Sequence, residues 1–184
     1  MSVPEVIPLC EGYIRRDGKI VLEAHSSSTI VIDGDMMLVV DTSSPQYRER
    51  IVVKLEDLGI DPGKVGTVIN THSHIDHVSN NDLFANATVL DGITGMPGND
   101  REIWPGVVMV RTPGHTPESI SVFVEGVKNY AIVGDAIPTH DNYLKWVPPF
   151  VNFDRELAIE SMKRIVQFAQ VVVPGHGAPF PVNR

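Results

Sequence analysis

Four side chains able to bind a metal fall within six residues: His72, His74, Asp76 and His77, in the run Thr71-His-Ser-His-Ile-Asp-His77. In extended backbone, residues i and i+2 share a face, so His72 and His74 can place their imidazoles on one ion. If the chain turns into a helix near Asp76, then Asp76 and His77 swing toward a second point nearby. One short loop then serves two metals. Imidazole and carboxylate ligands without thiolate suit zinc, and also iron or manganese. The chain has one cysteine, Cys10, which rules out an intrachain disulfide and any cysteine-based zinc site. Its apolar surroundings make it a buried, inert thiol. A solvated polar loop explains one or two histidines, but not this pattern leaving a predicted strand.

The elements that would carry this loop are legible from periodicity. Thr29 to Asp33 and Met36 to Val40 flank Gly34-Asp35 and are expected to form a hairpin. Ser44-Pro45 reads as an N-cap followed by proline at the first helical position. Ile51, Val52, Leu55 and Leu58 then recur at helical spacing, and Gly59 ends the helix. Val65 to Asn70 is the strand that runs into Thr71-His72. The second half follows the same order. Ser119 to Val124 and Tyr130 to Val133 make a second hairpin, and Asp135 follows it as Asp41 follows the first. Asp154 can cap a helix with Leu157, Ala158, Met162, Ile165 and Ala169 on one face. Val171 to Val173 then leads into Pro174-Gly175-His176. Each half delivers a histidine at the C-terminal end of a strand, where α/β folds place their sites.

The motif His72-x-His74-x-Asp76-His77 resembles the hallmark of the metallo-β-lactamase superfamily. The likeness continues along the chain. Thr112-Pro113-Gly114-His115-Thr116-Pro117 resembles the family's next metal-histidine motif, Val133-Gly134-Asp135 its bridging-aspartate motif, and Pro174-Gly175-His176-Gly177 its last histidine motif. Each later motif is weak alone; four in the family's order are specific. The resemblance implies an α/β fold, a four-layer αββα sandwich of two similar halves, with residues 1–184 as a single domain. It also implies that His72, His74 and His115 hold one divalent ion, that Asp76, His77 and His176 hold a second, and that Asp135 bridges them. The two ions would be zinc, with iron or manganese as alternatives. A hydroxide between the ions would be the nucleophile, with Asp76 beside it as the catalytic proton carrier. β-Lactamases of the cysteine-containing type have Cys where this chain has Asp135, so antibiotic hydrolysis is not the expected activity. The pairing of His77 with Asp135 is similar to the glyoxalase-II-like, phosphodiesterase-like and lactonase-like branches.

The expected function is therefore hydrolysis of an ester, thioester, lactone or similar bond in a small molecule. Glyoxalase-II enzymes carry an extra helical region after the last histidine motif, whereas eight residues follow His176 here, so a glutathione thioester is not expected. Two alternatives remain. Compact eukaryotic members proposed to act on RNA make a phosphodiesterase or ribonuclease the first, with nucleic acid as partner. The second is a mononuclear iron persulfide dioxygenase, using only the positions of His72, His115 and Asp135. The formal net charge of −8 argues mildly against a polyanionic partner. At 184 residues with 42% hydrophobic content, the chain can bury a real core. No basic-then-apolar leader is visible in Met1 to Gly12 and no stretch reaches membrane-spanning length, so a cytoplasmic protein without a membrane partner is expected. The residues do not indicate an oligomeric state.

Four further positions invite a role. Asp41 ends a strand as Asp135 does and could orient a metal histidine, since metal-bound imidazoles usually donate their other N–H to an oxygen; a turn aspartate is the alternative. The stretch Ala136 to Phe150 directly follows Asp135 and is expected at the rim of the site; its His140, Tyr143 or Trp146 could contact substrate, the alternative being that Tyr143 and Trp146 pack the loop or a subunit contact. Gly92 to Pro105, with Met96 and Trp104, is a second candidate rim loop. His25 is expected at a loop or strand edge with no metal role.

Overall fold

The computed structural model describes residues 3–96 and 98–183. Met1 and Ser2, at the start of the stretch read for a leader, lie outside it, as does Pro97 of the second candidate rim loop. Strands β1 (Glu5–Cys10), β2 (Tyr13–Asp17), β3 (Ile20–His25), β4 (Ser28–Asp33) and β5 (Met36–Val40) precede helix α1 (Arg48–Asp57). Strand β6 (Thr67–Ile69), helix α2 (Ile75–Val78) and strands β7 (Thr88–Leu90), β8 (Arg101–Trp104) and β9 (Val107–Arg111) follow. The chain ends with β10 (Ile120–Val124), β11 (Tyr130–Gly134), α3 (His140–Lys145), α4 (Arg155–Phe168), β12 (Val171–Pro174) and β13 (Phe180–Pro181).

Two sheets result, ordered β1-β4-β5-β6-β7 and β13-β12-β11-β10-β9-β8, with β2-β3 as a separate ribbon. Both sheets are buried on two faces, and the alternation of side chains assigns each face to a layer. In β4, β5 and β6, Val31, Leu38, Val40 and Ile69 join a core shared with Ile120, Val122, Val124, Ile132 and Val173 of the other sheet. Their neighbours Ile30, Val39 and Val68 point the opposite way, onto Ile51 and Leu55 of α1. In the second sheet, Phe123, Ala131, Val133 and Val172 turn away from the shared core onto Met162 and Ile165 of α4. Three apolar layers between two helices and two sheets make the αββα sandwich. Both hairpin-helix-strand units expected from the sequence are present, with β6 parallel to β5 and β12 parallel to β11.

Some local expectations shift. Asp154 caps α4 as predicted, accepting hydrogen bonds from Glu156 N (2.9 Å) and Leu157 N (3.0 Å). Leu157, placed on the buried face, is instead 41% exposed in the first turn, while Ala158, Met162, Ile165 and Ala169 are buried. Ser44 makes no cap bond. Pro45–Tyr47 forms a 3₁₀ turn before α1, and the Ser44 hydroxyl bonds His25 Nδ1 at 2.5 Å instead. A buried imidazole outcompetes the helix terminus because it has no water to turn to. Among the described residues, no helix is long and apolar enough to cross a membrane.

Candidate metal centre

Strand direction explains why distant motifs meet. Asp41 follows β5 and Thr71 follows β6, two parallel neighbours; Asp135 follows β11 and His176 follows β12, again parallel neighbours. Strand β9 is antiparallel to β10, which is antiparallel to β11. The loop after β9, which carries His115, therefore leaves by the same edge. By the same logic β1 runs parallel to β5 through β4, so the β2-β3 ribbon that follows β1 also rises from this edge.

All seven residues expected as ligands converge there. His72, His74 and His115 place one ligand atom each within 4.8 Å of one another, and so do Asp76, His77 and His176. His72, His77 and Asp135 form a third such group. Asp135 turns its two oxygens different ways. Oδ1 lies 3.2 Å from His176 Nε2 and 3.5 Å from His77 Nε2, while Oδ2 lies 3.5 Å from His115 Nε2. The local chain does what the spacing requires: His74 is extended (φ −65°, ψ 142°) and α2 starts at the next residue.

The imidazoles are oriented from behind. His77 Nδ1–H donates to Asp41 Oδ2 (2.7 Å), which makes Asp41 the orienting residue suspected from its position. Asp41 also accepts from Thr71 N and Thr71 Oγ1, both at 2.7 Å. With its proton given to Asp41, Thr71 Oγ1 is free to accept from His72 Nδ1 at 3.1 Å. His115 Nδ1–H donates to the Val151 carbonyl (2.7 Å), and His176 Nδ1–H donates to the His25 carbonyl (2.9 Å). Each of these four rings thus spends Nδ1 on the protein and presents Nε2 to the centre. His74 presents Nδ1 instead, 3.1 Å from His115 Nε2.

The donor set fits divalent cations. His72 Nε2, His77 Nε2 and Asp135 Oδ1 are buried with no hydrogen-bond partner among the described residues. An unpaired buried polar atom costs about 1–3 kcal/mol. Three of them aimed at one space are a ready ligand set. Burial and the neighbouring His77 hold His72 well below the usual histidine value, and burial with His115 lowers His74. Burial alone would also lower His77 and His176. The charges of Asp41 and Asp135 and the Asp41 hydrogen bond more than offset this for His77, and the charge of Asp135 does so for His176, so both are raised. Asp135 is held well below the usual carboxylate range: burial would raise it, but His176 and His77 prevail.

Two glycines in the motifs are steric requirements. A Cβ on Gly175 would lie 2.1 Å from Asp135 Oδ1 and 2.9 Å from the Gly134 backbone. Gly134 has φ +49°, and its Cβ would lie 2.2 Å from Thr71 Oγ1. Gly175→Ala is therefore expected to cut metal affinity and activity at least about tenfold, though it alters no ligand, because Asp135 must move. Equilibrium zinc competition against a chromogenic chelator would measure this, and wild-type affinity would refute the packing argument.

The chain is similar to known proteins. The sequence model of the metallo-beta-lactamase superfamily matches residues 22–98. A Methanocaldococcus jannaschii protein named as a probable metallo-hydrolase is 39% identical over 178 residues, covering 91% of this chain and 84% of the relative. The chain belongs to the metallo-beta-lactamase superfamily. The Xenopus laevis metallo-beta-lactamase domain-containing protein 1 is 33% identical over 95% of this chain and 80% of its own length. The N-acyl homoserine lactonase of Bacillus thuringiensis is 29% identical over 68% of this chain and 60% of that protein. A crystal structure of the Bacillus thuringiensis protein with N-decanoyl-L-homoserine at its active site superposes with a TM-score of 0.70, at 23% identity, over 91% of this chain and 89% of that one. This likeness shows the superfamily fold.

Around the superfamily motifs the structure departs from the sequence reading. The cleft over the centre, about 180 Å³, is lined by Ile14, Arg16, Val21 and Ala24 of the β2-β3 ribbon and by Pro149 and Val151, besides His74, Asp76, His115, Asp135 and His176. Of the first six, Pro149 falls in the stretch 136–150 expected at the rim, whereas Ile14, Arg16, Val21, Ala24 and Val151 were not singled out, and nothing in their local sequence pattern marks a site. His140 and Tyr143 do not line the cleft. Their rings stack on Phe180, at 4.3 and 5.3 Å between centroids, so α3 is pinned to β13. Trp146 lines a separate groove with Tyr143 and Val182. Ring packing accounts for His140 and Tyr143, and Trp146, 40% exposed, lies away from the cleft. The second rim loop is also overturned. Met96 is fully buried in the shared core, Trp104 ends β8 and packs on that core, and none of the described residues from 92 to 105 lines the cleft. His25 stands outside the three groups of converging ligand atoms found among the described residues, yet it is not idle. Its ring is held between Ser44 (2.5 Å) and Glu23 (3.1 Å), its face stacks on Tyr47 (4.2 Å), and its carbonyl fixes His176.

Proposed function

We propose that this metal-dependent hydrolase works with two divalent ions, zinc in both positions, and cleaves an ester, thioester or lactone in a small molecule. The observation that carries the reading is Asp135, whose two oxygens face two histidine groups at once. His72, His74 and His115 would hold one ion, Asp76, His77 and His176 the other, and Asp135 both. Two such ions, when bound, supply a water acidic enough to ionise near neutral pH and polarise the substrate oxygen. The chain does the rest. Asp76 is partly exposed on the cleft, its Oδ2 3.8 Å from His176 Nε2 and 4.0 Å from His77 Nε2. There it can take a proton from an attacking water and return it to the leaving group. Ile14, Val21, Ala24, Pro149 and Val151 line the cleft with apolar surface, which suits a short acyl group and limits water. The small volume and the lactonase among the relatives favour such a substrate over RNA.

Zinc titration of the chelated protein, with metal analysis, tests the stoichiometry; two ions per chain are expected. Asp41 and Asp135 shift His77, and Asp135 shifts His176, toward the protonated form in the metal-free chain, whereas ligation requires neutral imidazole. Zinc uptake should therefore release protons, and its apparent affinity should rise with pH. Calorimetry in buffers of different ionisation enthalpy reads this directly, and buffer-independent heats would contradict the protonation argument. A panel of lactone, thioester, ester, phosphodiester and RNA substrates then tests the bond class. One iron per chain with oxygen-dependent thiol oxidation, or RNA cleaved in preference to every ester, would replace this reading with one of its two rivals.

A further inference from the structure

The β2-β3 ribbon brings one unexplained charge to the cleft. Register along the ribbon pairs Ile14 with Ala24, Arg15 with Glu23, and Arg16 with Val21. Leu22 is thus an extra residue on β3, a bulge of the kind that re-aims side chains beside a site. Because of it, Val21 rather than Leu22 stands opposite Arg16, and the pairs Ile14/Ala24 and Arg16/Val21 both line the cleft. The two adjacent arginines are treated differently. Arg15 faces Glu23, at 3.5 Å. Arg16 makes no ion pair or side-chain hydrogen bond among the described residues. Among the described residues it is the one guanidinium lining this cleft, in a wall otherwise apolar outside the proposed metal ligands. Lys19, in the ribbon's turn, reaches the ring of Phe150 at 5.7 Å, so the ribbon meets the segment that supplies Pro149 and Val151. Arg16 is itself exposed and stands where the ribbon borders the cleft.

A guanidinium offers five donors in a planar fork that matches a carboxylate or phosphate. The carboxylates of this cleft, Asp76 and Asp135, are committed to the histidine groups. We propose that Arg16 determines specificity, and that the substrate is a compact acyl compound carrying one anionic group, carboxylate or phosphate, at a distance from the bond that is cleaved. This rests on the hydrolase reading above and adds the substrate's charge to it. The apolar residues around Arg16 take the acyl chain, and Arg16 takes the anion at its far end.

Two measurements on the zinc-loaded protein test this. The first is the ratio of kcat/KM for the mono-p-nitrophenyl ester of adipic acid to that for p-nitrophenyl hexanoate, two esters with acyl chains of equal length that differ by a remote carboxylate. The ratio is expected to exceed one in the wild type, to fall about tenfold in Arg16→Ala and to recover in Arg16→Lys. The second is calorimetric binding of hexanoate, adipate and 6-phosphohexanoate, which needs no turnover. Adipate or 6-phosphohexanoate should bind about tenfold tighter than hexanoate, with the gain lost in Arg16→Ala and the tighter of the two naming the anion. If the wild type cleaves neither ester, the hydrolase reading fails, while the binding series still decides on Arg16. Equal affinity for all three competitors, or a ratio untouched by Arg16→Ala, overturns the proposal.

Discussion

Asp135→Ala is expected to lower kcat/KM by about 10³-fold while the chain remains folded. The size follows from position. Asp135 Oδ1 lies within 3.5 Å of His77 Nε2 and His176 Nε2, and Oδ2 reaches His115 Nε2 at the same distance. Removing it takes the shared ligand from both proposed ions, so bound zinc should fall below two per chain. It also removes the negative charge that raises His176 and helps to raise His77. Those rings then lose their protons more readily, and the proton release on zinc uptake should shrink. The apolar layers that hold the sandwich do not include Asp135, so circular dichroism and cooperative unfolding should persist. Asp135→Glu should not rescue activity, because the space beside Oδ1 is closed by Gly175, where even a methyl would collide. Activity within tenfold of wild type in Asp135→Ala would sink the proposed bridging role.

Asp41 is the second large effect, and it separates orientation from ligation. Its carboxylate is buried and accepts three hydrogen bonds, from Thr71 N, Thr71 Oγ1 and His77 Nδ1. Asp41→Asn turns an amide toward donors that need an acceptor. The predicted cost is a loss of zinc affinity of about 10- to 100-fold, typical of removing the partner behind a metal histidine. Asp41→Ala should in addition destabilise the fold by about 1–3 kcal/mol, because the buried His77 Nδ1–H and the Thr71 donors lose their acceptor. Asn is the cleaner probe, since Asp41 sits at φ +54°, a region that Asn tolerates better than Ala. Zinc competition and denaturant unfolding of both variants separate the two effects. Wild-type zinc affinity in Asp41→Asn would show that His77 is oriented by packing alone.

These two aspartates mark how far the sequence can be read. Asp135 was legible because its motif, Val133-Gly134-Asp135, stands in order among three others. Asp41 was legible only as a strand end echoing Asp135; its bond to His77 joins residues 36 positions apart. The fold class was legible for a related reason. Hydrophobic alternation and helical periodicity are local, and both hairpin-helix-strand units follow from them. Residues 136–150, which follow Asp135, were expected at the rim, and of them Pro149 lines the cleft while His140, Tyr143 and Trp146 do not; residues 92–105 were a second candidate rim loop, and none of those described lines it. Neighbours in sequence still choose between solvent and core by their own packing, and His140 found Phe180 while Met96 found the space between the sheets.

What the sequence determined by itself, then, is the set of ligand-type residues and the strands that deliver them. Ligand spacing is imposed by backbone geometry over a few residues, and any reader of the chain has access to it. The tertiary structure alone decided which oxygen stands behind His72, His77, His115 and His176, which walls enclose the cleft and which arginine lines it. Those choices depend on strand order and on the bulge at Leu22, where one added residue selects the side chain that faces Arg16. Contacts of that kind are set by sheet pairing across the whole chain, so no local pattern in the sequence records them.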